Sequence, residues 1–217
     1  MMENSNTIRS PFFYVGDKYK LMPQLKQLMP KNIEKYIEPF VGGGSSFLNS
    51  KGTSYMLNDV DSYVVELHRQ IGSYTGKSEE LFDALFEIID FYGLSCSYRG
   101  IYVPEDMKKK YVKTYYSKYN KDAYIRMRKD FNANKNDFLR LYLLLIYGFN
   151  HMIRFNGKGD FNLPVGNVDF NNNVYQALNN YLDFVGEHEI EFFNMDYISF
   201  LEKIRSVSYT HLRAHET

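Results

Sequence analysis

The chain has 217 residues, with 26 basic and 26 acidic side chains and a formal net charge of +0. That balance does not advertise a nucleic-acid partner, and a hydrophobic content of 44% excludes disorder by composition. The length suits one full domain, or one domain with a smaller insertion. Cys96 is the only cysteine, so no internal disulfide forms, and a reducing, cytosolic setting fits best. The longest apolar run, near residues 141–146, is far short of the roughly 20 residues that span a bilayer. Residues 1–10 are polar and unlike a signal peptide, so no membrane partner is expected.

In chain order, Leu21, Leu25 and Leu28 share one face of a helix over residues 20–28, which Pro30 ends. Residues 35–37 read as a strand leading into Gly42-Gly43-Gly44, and residues 45–49 as the start of a helix. A second strand covers residues 54–57. Ser62 then caps a helix through Ile71, with Val64, Leu67, His68 and Ile71 periodic. Strand, loop, helix, strand, helix is the signature of a parallel sheet. The middle is helical: residues 78–92, 122–131 and 137–147 carry amphipathic patterns, and no strand stands out. Residues 150–173 form a Gly- and Asn-rich stretch of a length that is either functional or disordered. A helix over 174–185, a strand over 190–193 and a short helix over 197–203 follow. Residues 206–217 fit no pattern and resemble adapter-derived sequence. The His211 and His215 pair there lacks any further ligand nearby, so no metal is expected.

The charge is local. Residues 99–140 hold twelve Lys and Arg against five Asp and Glu, an excess of +7. Tyr111, Lys113, Tyr115, Tyr116, Lys118, Tyr119, Lys121 and Tyr124 interleave aromatic and basic groups, a surface suited to phosphates and bases. The same run also describes a solvated helix with its tyrosines turned inward.

Four constellations carry chemistry. Residues 36–45 run Tyr-Ile-Glu-Pro-Phe-Val-Gly-Gly-Gly-Ser, a strand entering a glycine loop that lets a ligand approach the backbone. No Gly-Lys-Ser/Thr follows, so this is not a P-loop. Asp59 stands 19 positions after Phe40, at the end of the next strand, where a carboxylate accepts from both hydroxyls of a ribose. Asp59 or Asp61 equally suits a plain helix cap. Loop and acid together point to a nucleoside cofactor, and their spacing leaves NAD and S-adenosylmethionine both open. Tyr14-Val15-Gly16-Asp17-Lys18 offers an aromatic ring and an ammonium for a cofactor carboxylate. Residues 147–166 hold Arg154, suited to a bidentate fork on guanine, with Phe and Met as wedges and Lys158 for phosphate.

Together these residues resemble the Dam family of DNA adenine-N6 methyltransferases, especially its phage branch, over roughly residues 11–203. The most specific match is Gly148-Phe149, Met152-Ile153-Arg154, Asn156, Lys158-Gly159, Phe161, Pro164 and Gly166. The resemblance implies an α/β, Rossmann-like S-adenosylmethionine-dependent domain, incomplete here, over residues 1–72 and 187–205. A helical DNA-recognition domain is inserted over 73–186. It assigns Tyr14, Lys18, Phe40, Gly42, Gly43, Asp59, Asp196 and Tyr197 to the cofactor. It assigns Phe149, Asn150, Met152, Arg154, Asn156, Lys158 and Pro164 to double-stranded DNA, with a target of the GATC kind. Two positions depart from the pattern. Asn167 and Val168 stand where a basic residue usually follows Pro-x-Gly, and Val41 replaces a small residue.

The family's Asp-Pro-Pro-Tyr motif, whose carboxylate accepts from the adenine amino group and whose tyrosine stacks on the flipped base, is absent. Pro11, Pro23, Pro30, Pro39, Pro104 and Pro164 are the only prolines, and no two adjoin. The expectation is a chain truncated before its catalytic motif, inactive alone and poorly stable, with exposed sheet edge. A non-catalytic DNA-binding module is the alternative reading, and a small nucleotide-dependent dehydrogenase a third.

Overall fold

A computed structural model describes residues 7–214, with side chains through Arg205. The sheet comes from three short runs rich in Ile, Tyr, Phe and Met. These are β1 (Ile33–Glu38), β2 (Gly52–Asn58) and β3 (Glu189–Phe193), all parallel and in the order β1-β2-β3. The helix expected over 45–49 is a single 3-10 turn at Phe47–Asn49, because Gly44 and Ser50 bracket too few residues for a second turn.

The remaining frame is helical: α1 (Met22–Leu28), α2 (Ser62–Gly72), α3 (Ser78–Tyr92), α4 (Glu105–Tyr111), α5 (Tyr115–Ala133), α6 (Phe138–Ile146), α7 (Asn172–Glu187) and α8 (Tyr197–Ala214). The cap of α2 is Asp61 rather than Ser62: its carboxylate accepts from the Tyr63 N–H at 2.9 Å. α4 has no counterpart among the expected elements, since Glu105-Asp106-Met107-Lys108-Lys109-Lys110-Tyr111 carries no apolar stripe. α8 continues past the expected end at Lys203 to Ala214, so part of the patternless stretch is helical. The side chains of residues 206–217, His211 and His215 among them, lie outside the described residues.

α6 is the centre of the molecule. Leu141 through Ile146 are all fully buried, so α6 packs on every side, and its neighbours are α2, α3 and α5. The apolar cluster around it runs without a break from Leu57 and Tyr55 of the sheet to Tyr124 and Phe131 of α5.

At the carboxyl ends of the strands, Asn58 joins all three. Its amide donates to Pro39 O (3.1 Å) and Met195 O (2.9 Å) and accepts from Met195 N–H (3.1 Å), in a site 1% exposed. Open parallel sheets bind ligands at this end. Among the described residues no helix is long and apolar enough to cross a membrane.

Candidate functional site

The glycine loop leaves β1 at the edge that Asn58 organises, and its backbone is held from several sides. Gly42 and Gly44 take φ of +47° and +83°, which suits residues without Cβ. Gly42 N–H donates to Asp59 Oδ2 at 2.9 Å, and Val41 N–H to Asn58 O at 2.8 Å. The Ser10 hydroxyl donates to Gly43 O. Gly43 is demanded by packing: a Cβ there would lie 2.8 Å from Tyr14 Cβ. A small cleft opens beside the loop, lined by Tyr14, Gly42, Gly43, Val64, Leu145 and Ile153.

Asp59 holds two backbone groups at once, Gly42 N–H on Oδ2 and Asp61 N–H on Oδ1. Each oxygen keeps a lone pair for another donor. Tyr14 lies close by. Burial first, then the Asp61 and Asp59 carboxylates, push its phenol upward. Phe40 is 65% exposed and faces Tyr197 with ring centroids 5.5 Å apart, forming an open aromatic pair beyond β1. Asp196, by contrast, is occupied at the start of α8. It accepts from Ile198 N–H, Ser199 N–H and the Ser199 hydroxyl, and the last of these leads in holding its carboxyl low. Lys18 donates its ammonium to Gly16 O at 3.0 Å and is exposed.

Three groups at the loop escaped the assignment of site residues. His68 sits fully buried on α2, with Nε2 2.9 Å from Gly42 O and Nδ1 2.9 Å from the Tyr181 hydroxyl. Burial pulls its pKa down to about 4, so the ring is neutral and carries one N–H. A carbonyl only accepts, so that proton is on Nε2, and Nδ1 accepts from Tyr181. The available signal was a histidine on the apolar face of an amphipathic helix, where a polar ring needs partners. Glu38, at the end of β1, has its carboxyl pushed up to about 8 by burial, against the pull of the Phe47 N–H. Its Oε2 and the Ser45 hydroxyl are buried without a partner on either side of the loop.

The stretch over 150–173 is an ordered hairpin and its flanks, not a disordered loop. Phe155 and Phe161 form an antiparallel bridge, and Asn162 N–H donates to Arg154 O at 3.0 Å. The Asn156 side chain accepts from Lys158 N–H (2.9 Å) and Asp160 N–H (3.0 Å), so it builds the tip, and Lys158 stands exposed there. Residues of α5 hold the hairpin from behind. Asn132 bonds both the N–H and the carbonyl of Phe161, and Arg128 donates to Leu163 O at 3.1 Å. In front, Phe155 stacks on Tyr63 of α2 at 4.4 Å, which ties the hairpin to the helix that follows β2.

Arg154 is exposed on this frame. Its Nε donates to Asn162 Oδ1 at 2.9 Å and Nη2 to Asn162 O at 2.8 Å. One side of the guanidinium is thereby pinned, and the outer Nη1/Nη2 edge remains free. Nearby in the same stretch, Phe149 is 52% exposed and its N–H donates to Pro164 O at 2.9 Å. Asn150 and His151 adopt φ of +55° and +49°, unusual for residues with Cβ, while Met152 and Ile153 turn toward the core. Gly166 closes the base: a Cβ there would lie 2.6 Å from Gly148 O.

A family model for D12 class N6 adenine-specific DNA methyltransferases matches residues 14–210. The chain belongs to this family. Among its curated relatives, Modification methylase StsI of Streptococcus sanguinis is 34% identical over 180 residues, 82% of this chain and 23% of that protein. The DNA adenine methylase of Escherichia coli K12 is 31% identical over 156 residues, 70% of this chain and 46% of that protein. Type II methyltransferase M.FokI of Planomicrobium okeanokoites is 29% identical over 164 residues, 76% of this chain and 22% of that protein. The chain thus spans less than half the length of each of these relatives.

Proposed function

We propose that this chain supplies the cofactor-binding and DNA-reading parts of a site-specific DNA adenine-N6 methyltransferase that uses S-adenosylmethionine. One observation carries the reading. A glycine loop and Asp59, at the carboxyl edge of a parallel sheet, adjoin a hairpin presenting a pinned, outward arginine. Residues 1–72 with 187–205 serve the cofactor, and residues 73–186 serve DNA.

The loop fits such a cofactor, because two buried polar atoms there, Glu38 Oε2 and Ser45 Oγ, have no partner among the described residues. Tyr14, Gly42 and Gly43 would cradle its amino-acid end, with Lys18 near its carboxylate. Asp59 has lone pairs for the ribose hydroxyls, and Phe40, Asp196 and Tyr197 would bound the adenine. When bound, the cofactor supplies an activated methyl on sulfonium. On the DNA side, Arg154 offers its free edge to guanine O6 and N7. Phe149 serves as a wedge, Lys158 takes a phosphate, and Asn150, Asn156 and Pro164 line the contact, while Met152, packed against the core, supports the loop from behind. The presence of a guanine-reading arginine in this setting favours a target of the GATC kind.

Calorimetry with S-adenosylmethionine and anisotropy with GATC-containing and scrambled duplexes test this directly. Asp59→Ala is expected to abolish cofactor binding. Arg154→Ala should cost roughly 1–3 kcal/mol at one base pair and leave binding to other sequences largely unchanged. Sequence-specific DNA binding without any cofactor binding would identify a DNA-binding module instead. Equal loss on all duplexes would make Arg154 a phosphate contact.

A further inference from the structure

The corner between α4 and α5 gathers positive charge in an unusual way. Lys110 and Lys118 both place their ammonium groups over the ring of Tyr111, 5.3 and 5.7 Å from its centroid. Both lysines are exposed, and among the described residues neither has a carboxylate partner. By contrast, Lys108 pairs with Glu105 at 2.6 Å, Lys135 with Asp160 at 3.3 Å and Lys77 with Glu80 at 3.9 Å. Two cations drawn together by a π face, with no acid to neutralise them, leave a concentrated positive potential that suits an anion. Lys109 and Lys113 are exposed on the same short stretch.

A second feature says where this corner belongs. Asn167, directly after the hairpin base, bridges to it with both ends of its amide. Its Nδ2 donates to Lys113 O at 2.9 Å, and its Oδ1 accepts from Ser117 N–H at 3.2 Å. Gly166 N–H in turn bonds Tyr147 O at 2.7 Å, and Phe149 N–H bonds Pro164 O. The lysine corner is therefore fastened to the segment that carries Phe149, Pro164 and Arg154.

We propose that the α4–α5 corner, centred on Lys110, Tyr111 and Lys118, is a second DNA contact that grips the duplex backbone beside the base pairs read by the hairpin. The partner is the phosphodiester chain of that same duplex. Its charge complements the unpaired lysines, and its position follows from continuity with the hairpin through Asn167. This inference rests on the DNA-reading function proposed above. Contacts of this kind set affinity and register but carry no sequence information.

The test measures duplex affinity by anisotropy across a salt series, for wild type, Lys110→Gln/Lys118→Gln, Asn167→Ala and the control Lys77→Gln. The double variant should lower the magnitude of the log–log salt slope by roughly 1 to 2, since each phosphate contact contributes about 0.9. At 0.1 M salt its affinity should fall by on the order of tenfold on GATC and scrambled duplexes alike. Asn167→Ala should reproduce part of the slope change, because it releases the corner from the hairpin, and Lys77→Gln should match wild type. A double variant with the wild-type slope overturns the proposal while the function above stands, provided Arg154→Ala still loses base preference. A wild-type chain that binds no duplex overturns both.

Discussion

Among the described residues, His68 is a fully buried titratable group that holds the glycine loop, and its protonation state ties loop geometry to pH. Nε2 already donates to Gly42 O, so an added proton must go to Nδ1, where it reverses the bond with the Tyr181 hydroxyl, leaves that hydroxyl only His68 O to donate to, and places a cation in an apolar site. The unfolded chain, with an ordinary histidine near 6.5, takes that proton more readily than the folded one at about 4. The stability linked to His68 is therefore complete above pH 6.5 and is lost as pH falls toward 4. The loss is about 2 kcal/mol by pH 5 and approaches roughly 3 kcal/mol near pH 4. His68→Gln keeps an N–H for Gly42 and removes the titration. Urea unfolding from pH 7.5 to 5 should show the wild type losing about 2 kcal/mol more than this variant. Parallel curves would mean that the ring is not a buried neutral donor.

The hairpin shows how a cross-strand pair fixes the exposed arginine proposed above to read a base. Arg154 and Asn162 face each other, and two hydrogen bonds from the guanidinium fix its plane before any base arrives. Without them Arg154 must be ordered on binding, at a cost of up to about 2 kcal/mol of rotamer freedom. Asn162→Ala is expected to reduce discrimination at the arginine's base pair by roughly 1 kcal/mol, about fivefold, and to leave the salt slope unchanged. A slope lower by about 0.9 with base preference intact would show instead that Asn162 holds Arg154 against a phosphate. The sequence pointed to this stretch through the Arg154 pattern and its length, but not to what holds it in place. The contacts that order it come from Asn132 and Arg128 on α5, and from Tyr63 on α2, all distant in sequence. The strands were legible because β-branched and aromatic runs ended in glycine or Asn-Asp. α4 was not, because its residues carry charge all round and its place depends on packing against α5.

Motif order suggests a cofactor part and a DNA part, as proposed above, yet both proposed parts share one apolar interior. Leu144 of α6 is fully buried in the cluster that also holds Leu57 of β2, Leu67 of α2 and Tyr124 of α5. A run of six apolar residues in sequence announces burial but not what surrounds it, and here the surroundings come from both parts. Independent unfolding of either part would strip α6 of half its neighbours, so the two should unfold together. That expectation departs from the poor stability inferred for a truncated chain, because it follows from the continuity of the core rather than from the exposed sheet edge. Leu144→Ala opens a cavity at the junction and should cost about 2–5 kcal/mol. Hydrogen exchange of β2 and of α5 should then accelerate by the same factor, and far-UV dichroism and tyrosine fluorescence should give superimposable transitions. If exchange in α5 accelerates while β2 keeps its wild-type protection, the helical part unfolds by itself, and the two parts are separable domains joined only by the chain.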